Sequence, residues 1–163
     1  MKGPALCSRA GLLSSTLLLL SLGSCGAPAA AEPHEAHGLR QALGLSNDSE
    51  VHQINLGGRG AEEHAVPAII HVRPGDAVEF RTVDHRVHTV TFVMDSLAPA
   101  VRGFLETTGQ EASTPLVRRG SRFIVRLKDA PPGRYVFVTE GHGGVARGVL
   151  EVDPEVSDGS RVP

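Results

Sequence analysis

The chain has 163 residues and a formal charge of −2 at neutral pH, with 19 glycines, 11 prolines, five phenylalanines, one tyrosine and no tryptophan. Its length indicates one domain with a targeting segment, and the small net charge gives no electrostatic support to binding of nucleic acid. The abundance of glycine and proline favours short strands joined by turns over a helical bundle.

The N-terminus has the pattern of an export signal. Lys2 and Arg9 precede an apolar stretch at 12–22, which is followed by small residues. Eleven residues are too few to cross a bilayer as a helix, and the order basic, apolar, small is that of a signal peptide. We therefore predict a signal peptide over residues 1–25 and an exported protein.

The end of this signal indicates a lipid anchor. The sequence Leu22-Gly23-Ser24-Cys25 resembles a bacterial lipobox, in which the cysteine is lipidated and becomes the new N-terminus. The alternative is ordinary cleavage near residues 29–31, which would discard Cys25. Since Cys7 is removed by both routes, the folded domain has no free thiol for a disulfide or a thiolate–metal bond. The predicted location is the cell envelope or periplasm, at a membrane.

Residues 26–49 are rich in Ala, Pro, Glu and His and are predicted to be a flexible linker, with a turn of helix at 38–45. The folded domain is expected at 50–153, followed by a disordered tail at 154–163.

Seven short runs with β-branched or alternating apolar residues follow the linker. Turn residues separate most of them at intervals of about ten residues, which is typical of a β-sandwich or barrel. The predicted strands are 51–56, 66–72, 77–83, 87–93, 122–128, 134–139 and 146–152.

One segment between these runs has helical periodicity. Its apolar residues follow the spacing i, i+4, i+7, i+8, beginning at Leu97, which predicts a short helix over 97–107. Ser96 is the predicted N-cap and Gly109 the predicted stop.

Strand parity indicates which polar residues point into the domain. His88 shares parity with the apolar residues of its strand, and Thr139 does so in the strand at 134–139. If the two strands are antiparallel neighbours, both residues lie at the same end of the sandwich. His142 follows Thr139 by three residues on a glycine-rich loop, so two imidazoles and a hydroxyl are predicted to converge there.

Two longer stretches carry a family resemblance. Residues 70–80 (IHVRPGDAVEF) with 88–92 (HTVTF), and residues 133–142 (GRYVFVTEGH) with 148–152 (GVLEV), resemble the two halves of plastocyanin- and halocyanin-type blue copper domains. The resemblance to this cupredoxin family covers residues 50–152. It implies an all-β, cupredoxin-like Greek-key β-sandwich of about seven to eight strands with one short helix.

The departures from the family pattern bear on the metal. The family's cysteine ligand falls at Thr139 and its axial methionine near Val145 or Ala146, so only His88 and His142 carry over. A blue copper site requires a thiolate, and the sequence therefore excludes one. Two imidazoles with water or a carboxylate suit copper(II) in an ordinary site and also accept zinc.

Three nearby residues are candidates for completing a coordination shell. They are Asp84, His85 and Glu140, which lie close in sequence to the two histidines. The alternative for the histidine pair is a hydrogen-bonded polar cap that holds no metal.

Three functions follow from these observations. The first is a copper protein of the cell envelope, acting in copper handling or electron transfer. The second is a metal-free module that binds a protein or glycan partner. The third is an enzyme with a type 2 copper centre, which is not expected, because a histidine-brace mechanism needs an N-terminal histidine that neither processing route supplies.

Overall fold

The computed structural model describes residues 33–154, and the side chains from residue 38 onward. The predicted signal peptide, the lipidation at Cys25 and residues 155–163 of the predicted tail lie outside the described residues. Within the described part, no helix is long and apolar enough to span a membrane.

Eight strands and two α-helices make up the described chain. A single 3₁₀ turn at Met94–Ser96 precedes the second helix. The helices are α1 (Pro33–Ala42) and α2 (Pro99–Thr108), and the strands are β1 (Val51–Arg59), β2 (Glu62–Val66), β3 (Ile69–Val72), β4 (Ala77–Thr82), β5 (His88–Phe92), β6 (Arg122–Arg126), β7 (Gly133–Gly141) and β8 (Gly144–Val152). Helix α1 lies wholly within the predicted linker at 26–49, where the sequence predicts only a turn of helix at 38–45.

The strands form two four-stranded sheets. One has the order β2-β1-β4-β6 and the other the order β3-β8-β7-β5. Strands β1 and β4 pair in parallel, as do β3 and β8, whereas the remaining neighbours are antiparallel. The protein is an all-β sandwich of eight strands with a short helix packed on it, as the sequence predicts.

Aromatic rings hold the two sheets together. Phe80 of β4 meets Phe137 of β7 edge-on, with ring centroids 4.9 Å apart, and Phe92 lies 6.4 Å from both Phe137 and Tyr135. All four rings are almost fully buried. The Tyr135 hydroxyl donates a hydrogen bond to the carbonyl of Pro131 at 2.8 Å, which satisfies its polar end.

Helix α2 covers one flank of this core through Val101 and Leu105, which are fully buried. It ends at Gly109, whose left-handed backbone (φ 64°) closes the last turn, so the predicted stop is confirmed. The predicted N-cap is wrong. The N-cap residue is Ala98, which has no side-chain acceptor, and Pro99 stands at the first helical position, where its fixed φ suits the start of the helix.

One predicted strand is divided in the structure. The run at 66–72 is expected to be a single strand, but it contains the end of β2, a cis peptide at Val66-Pro67 and then β3. The two pieces belong to different sheets. Because proline has no N–H for a sheet hydrogen bond, the chain leaves one sheet and enters the other at this point. Strand β2 itself, which begins at Glu62, is missing from the sequence-based prediction.

Candidate metal centre

The candidate site lies at one end of the sandwich, where β4 ends, β5 begins and β7 turns into β8. The register pairs His88 with Gly141 and Val90 with Thr139. His88 and Thr139 are both fully buried. The predicted inward orientation of both residues is therefore confirmed, and so is their position at the same end of antiparallel neighbours.

His88 contacts a carboxylate on each side of its ring. Its Nδ1 atom lies 2.6 Å from Oε1 of Glu63, and its Nε2 atom lies 2.7 Å from Oδ1 of Asp84. The side chains of His88 and Glu63 are fully buried, while that of Asp84 is about one-quarter exposed (26%). Thr139 donates its hydroxyl to the same Oε1 atom of Glu63 at 3.2 Å.

The surroundings of Asp84 determine which nitrogen of His88 carries a proton. Burial alone would raise the pKa of Asp84, but hydrogen bonds from His88 and from the backbone N–H groups of Arg86 and Gly58 outweigh it and hold the pKa below its ordinary value. Ionised Asp84 is an acceptor only, so Nε2 of His88 is the donor. The other nitrogen, Nδ1, lies 2.6 Å from Oε1 of Glu63, a distance that leaves room for a proton between the two atoms and none for a metal cation.

Glu63 is the functional residue that the sequence analysis does not find. It belongs to β2, where alternate residues are buried, and it shares its inward parity with Ala65. That alternation is the one signal in the sequence that could have identified it. A pattern of two buried positions in five residues is weak, and a glutamate at such a position is ordinarily exposed.

Two glycines bring the backbone close to the Glu63 carboxylate. A Cβ atom at Gly141 would lie 2.5 Å from Oε2 of Glu63 and 2.9 Å from Nδ1 of His88. A Cβ atom at Gly58 would lie 3.1 Å from the same Oε2. Although Oε2 is buried, no hydrogen-bond partner reaches it. A glycine at 141 is therefore required by the packing of the site itself.

The remaining predicted ligands lie outside this buried cluster. His142 is exposed at the turn between β7 and β8, with a left-handed backbone (φ 40°). His85 and Glu140 are exposed as well. Of the predicted set, the structure thus brings together His88, Asp84 and Thr139.

The residues present exclude one kind of copper site and supply only some of the donors of another. A thiolate-containing blue site does not fit, because position 139 is threonine and the cysteines of the chain are at positions 7 and 25. Val145, near the family's methionine position, is 59% exposed. Nitrogen and oxygen donors of the kind found in an ordinary site are present, since His88 contacts Oε1 of Glu63 and the second oxygen of that carboxylate, Oε2, is buried without a hydrogen-bond partner.

The donors of the described residues do not form a complete shell. Across residues 33–154, no three His, Cys, Asp or Glu side chains are arranged as a metal-binding group. The reason lies in His88, whose two carboxylate partners sit on opposite nitrogens and therefore do not face one point. A metal at Nδ1 would need a further ligand from the adjoining turn.

The chain matches no protein-family model, and no curated protein matches it. It is similar to solved structures of cupredoxins. Oxidized plastocyanin from Dryopteris crassirhizoma is 23% identical, with 62% of this chain and 99% of that chain covered at a TM-score of 0.47. Reduced auracyanin from Roseiflexus castenholzii (18%; 68% and 99%; TM-score 0.42) and a purple cupredoxin from Nitrosopumilus maritimus (16%; 63% and 99%; TM-score 0.42) are also similar.

Proposed function

We propose that the mature chain is a lipid-anchored protein of the cell envelope that binds a single copper(II) ion through His88 and His142. Its role is copper handling or a slow redox step rather than blue-copper electron transfer. Zinc is the alternative ion. Neither enzymatic activity nor binding of nucleic acid is part of the proposal.

The hydrogen bond between Nε2 of His88 and Asp84 carries this proposal. Histidines that bind metals almost always donate their second ring N–H to a carboxylate, a carbonyl or water, which fixes the tautomer and orients the other nitrogen. The 2.7 Å contact with Asp84 supplies this arrangement and directs Nδ1 inward. His142 follows Gly141, the register partner of His88, and would close the site from the solvent side.

Copper titration of the mature chain tests the proposal. We expect one Cu(II) ion to bind more tightly than micromolar, with d–d absorption and an EPR signal that His88→Ala and His142→Ala each remove. His71→Ala is the matched control, since His71 is 65% exposed and lies on β3, in the same sheet but outside the site. Retention of tight binding by both site variants would contradict the assignment, as would the absence of tight binding in the wild type.

The anchor is tested separately. Replacement of Cys25 by alanine should release the protein from membranes if the lipobox resemblance holds, and should leave copper binding unchanged. A variant that stays in the membrane fraction would contradict lipidation at this residue.

A second candidate, a metal-free module that binds a protein or glycan, is favoured by the direct contact of 2.6 Å between Nδ1 of His88 and Oε1 of Glu63. In that case a proton bridges the pair and the cluster is a structural ion pair. The surface to examine is the exposed arginines Arg118, Arg119, Arg122 and Arg126. Partner binding that survives the combined replacement of His88 and His142 would support this candidate, provided that the variant remains folded.

A further inference from the structure

We infer that a second copy of this chain packs on the outer face of the sheet with the order β3-β8-β7-β5, related to the first copy by a two-fold axis that passes beside Val149. The inference goes beyond the proposed function and depends neither on a metal nor on the lipid anchor. Its basis is an apolar row on this face and the charges on either side of that row.

Branched aliphatic side chains form a row across the outer face of this sheet. Alternate residues of β7 and β8 belong to the core, so the residues between them point outward. The register places Ile69 beside Val149 and Val149 beside Val136, and Val138 lies two residues further along β7. Ile69 is 57% exposed, and Val145, at the start of β8 on the same face, is 59% exposed. Apolar surface therefore runs across three of the four strands on the side away from the core.

The outer face of the other sheet is mainly polar. Its two middle rows, taken in register across β1, β4 and β6, are Gln53, Glu79 and Ile124, and Asn55, Arg81 and Arg122. Polar side chains are usual where one face of a sheet meets water, whereas a contiguous apolar patch marks an interaction site. The difference between the two sheets identifies the face of β3-β8-β7-β5 as the one that a partner covers.

The charges beside the apolar row indicate that the partner is another copy of the chain. Arg147 and Glu151 lie on the same face of β8 as Val149, two residues before it and two residues after it. A two-fold axis along the apolar row brings two copies of β8 face to face and reverses the direction of one, so that Val149 meets Val149. Arg147 of each copy then lies opposite Glu151 of the other copy, which gives two symmetric pairs of opposite charge. Sheets packed face to face are about 10 Å apart, a gap that an arginine and a glutamate side chain can span together.

Both charged side chains are able to form these pairs. Arg147 is exposed, and within residues 38–154 no carboxylate forms an ion pair with it. The carboxylate of Glu151 lies 3.4 Å from Nε of Arg134 and 3.4 Å from Nε2 of His71. The side chains of these two partners are 67% and 65% exposed, and ion pairs at such exposed positions contribute little to stability. A second copy therefore supplies the acidic partner that Arg147 lacks, without breaking a strong contact of Glu151.

Exchange of the two charges tests the inference. The sample is the mature chain with Cys25→Ala, so that no lipid is attached, and sedimentation equilibrium measures the dissociation constant of the dimer. Arg147→Glu and Glu151→Arg each place two like-charged pairs across the axis, and we expect each to raise that constant by more than about 10-fold. The variant that carries both changes restores opposite charges, and its dissociation constant should return towards that of the parent chain. Arg126→Glu is the matched control, since Arg126 is exposed on the other sheet, and it should leave the constant unchanged.

Three outcomes would overturn the inference. The first is a parent chain that remains monomeric up to millimolar concentration, including the case in which it binds vesicles of phosphatidylglycerol instead of a second copy. The second is a dimer whose dissociation constant is unchanged in both single variants, because such a dimer uses another surface. The third is a double variant that dimerises as weakly as the single variants. Copper binding is measured separately, so none of these results bears on the proposed function.

Cross-linking provides the test if a charge variant does not fold. A residue on a two-fold axis faces its own counterpart, so a short bismaleimide should join Val149→Cys chains into dimers. The mature chain with Cys25→Ala has no other thiol, since the second cysteine of the sequence is Cys7 in the signal peptide. Ile124→Cys is the matched control, because Ile124 is half-buried like Val149 but points outward from the other sheet, and it should stay monomeric. No cross-linked dimer from Val149→Cys, or equal yields from the two variants, would overturn the inference.

Discussion

The Nδ1 atom of His88 lies 2.6 Å from Oε1 of Glu63, although the two residues are 25 positions apart and belong to different sheets. Both side chains are fully buried. This contact joins the two layers of the sandwich at the end that carries the candidate site. It therefore couples the stability of the domain to His88, which we propose as a metal ligand.

Loss of His88 should destabilise the metal-free domain strongly. His88→Ala leaves the buried carboxylate of Glu63 without its imidazole partner, and removing one partner of a buried carboxylate in this way typically costs about 3–5 kcal/mol. We expect a loss of that order in the free energy of unfolding, measured by urea denaturation in the presence of a chelator. His71→Ala should change it by less than about 0.5 kcal/mol, as is usual at exposed sites. Equal stability of the two variants would contradict the contact.

Two glycine-to-alanine substitutions should act in opposite directions. Gly141→Ala places a methyl group 2.5 Å from Oε2 of Glu63 and 2.9 Å from His88, so we expect lower thermal stability and weaker metal binding. Gly103→Ala lies within α2, where nothing occupies the space around a new Cβ atom, and should stabilise by about 0.5–1 kcal/mol. A Gly141→Ala protein as stable as the wild type would show that the turn does not rest on the site.

Acid should weaken the domain partly through Asp76. Burial would raise the pKa of Asp76, but hydrogen bonds from the backbone of Glu50 and Arg73 and from His52 hold it below its ordinary value. A carboxylate whose pKa is lower in the folded chain contributes stability above its unfolded pKa, and this contribution is lost as the pH falls through the folded pKa.

The Asp76→Asn variant should therefore be less stable at neutral pH and lose less stability on acidification below about pH 4, the ordinary pKa of aspartate. Urea midpoints measured from pH 7 to pH 2 check this expectation. The exposed Asp48→Asn substitution is the control. If the stability of Asp76→Asn fell with pH as steeply as that of the wild type, the result would argue against a lowered pKa of Asp76.

A cysteine at position 139 should introduce a thiolate donor into the proposed site. Thr139 is fully buried. Its hydroxyl and the Nδ1 atom of His88 both contact Oε1 of Glu63. We expect the Thr139→Cys protein to develop intense visible absorption with Cu(II), because a Cu–thiolate bond is the source of blue-copper spectra. The wild type and Thr139→Val should lack this band. A colourless Cu(II)-loaded Thr139→Cys protein would place the ion away from position 139.

The sequence by itself determined the features that follow from local periodicity. Alternation in the runs at 87–93 and 134–139 predicted that His88 and Thr139 point inward, and both are buried. The helical spacing near 97–107 predicted α2, and Gly109 ends it. Each of these features lies within a single helix or strand. There the direction of a side chain follows from the regular repeat of the backbone, which the sequence pattern reflects.

Only the tertiary structure decided the composition of the site. The predicted strand at 66–72 is divided between two sheets, and β2, which ends at Val66, places Glu63 beside His88. The identity of a residue's neighbour across the sandwich depends on sheet order and register, which are set by the packing of the whole core. The alternation in a five-residue strand indicates only which face a residue takes. For the same reason Asp84 was expected only as one of several candidates, and its hydrogen bond to Nε2 of His88 became visible with the fold.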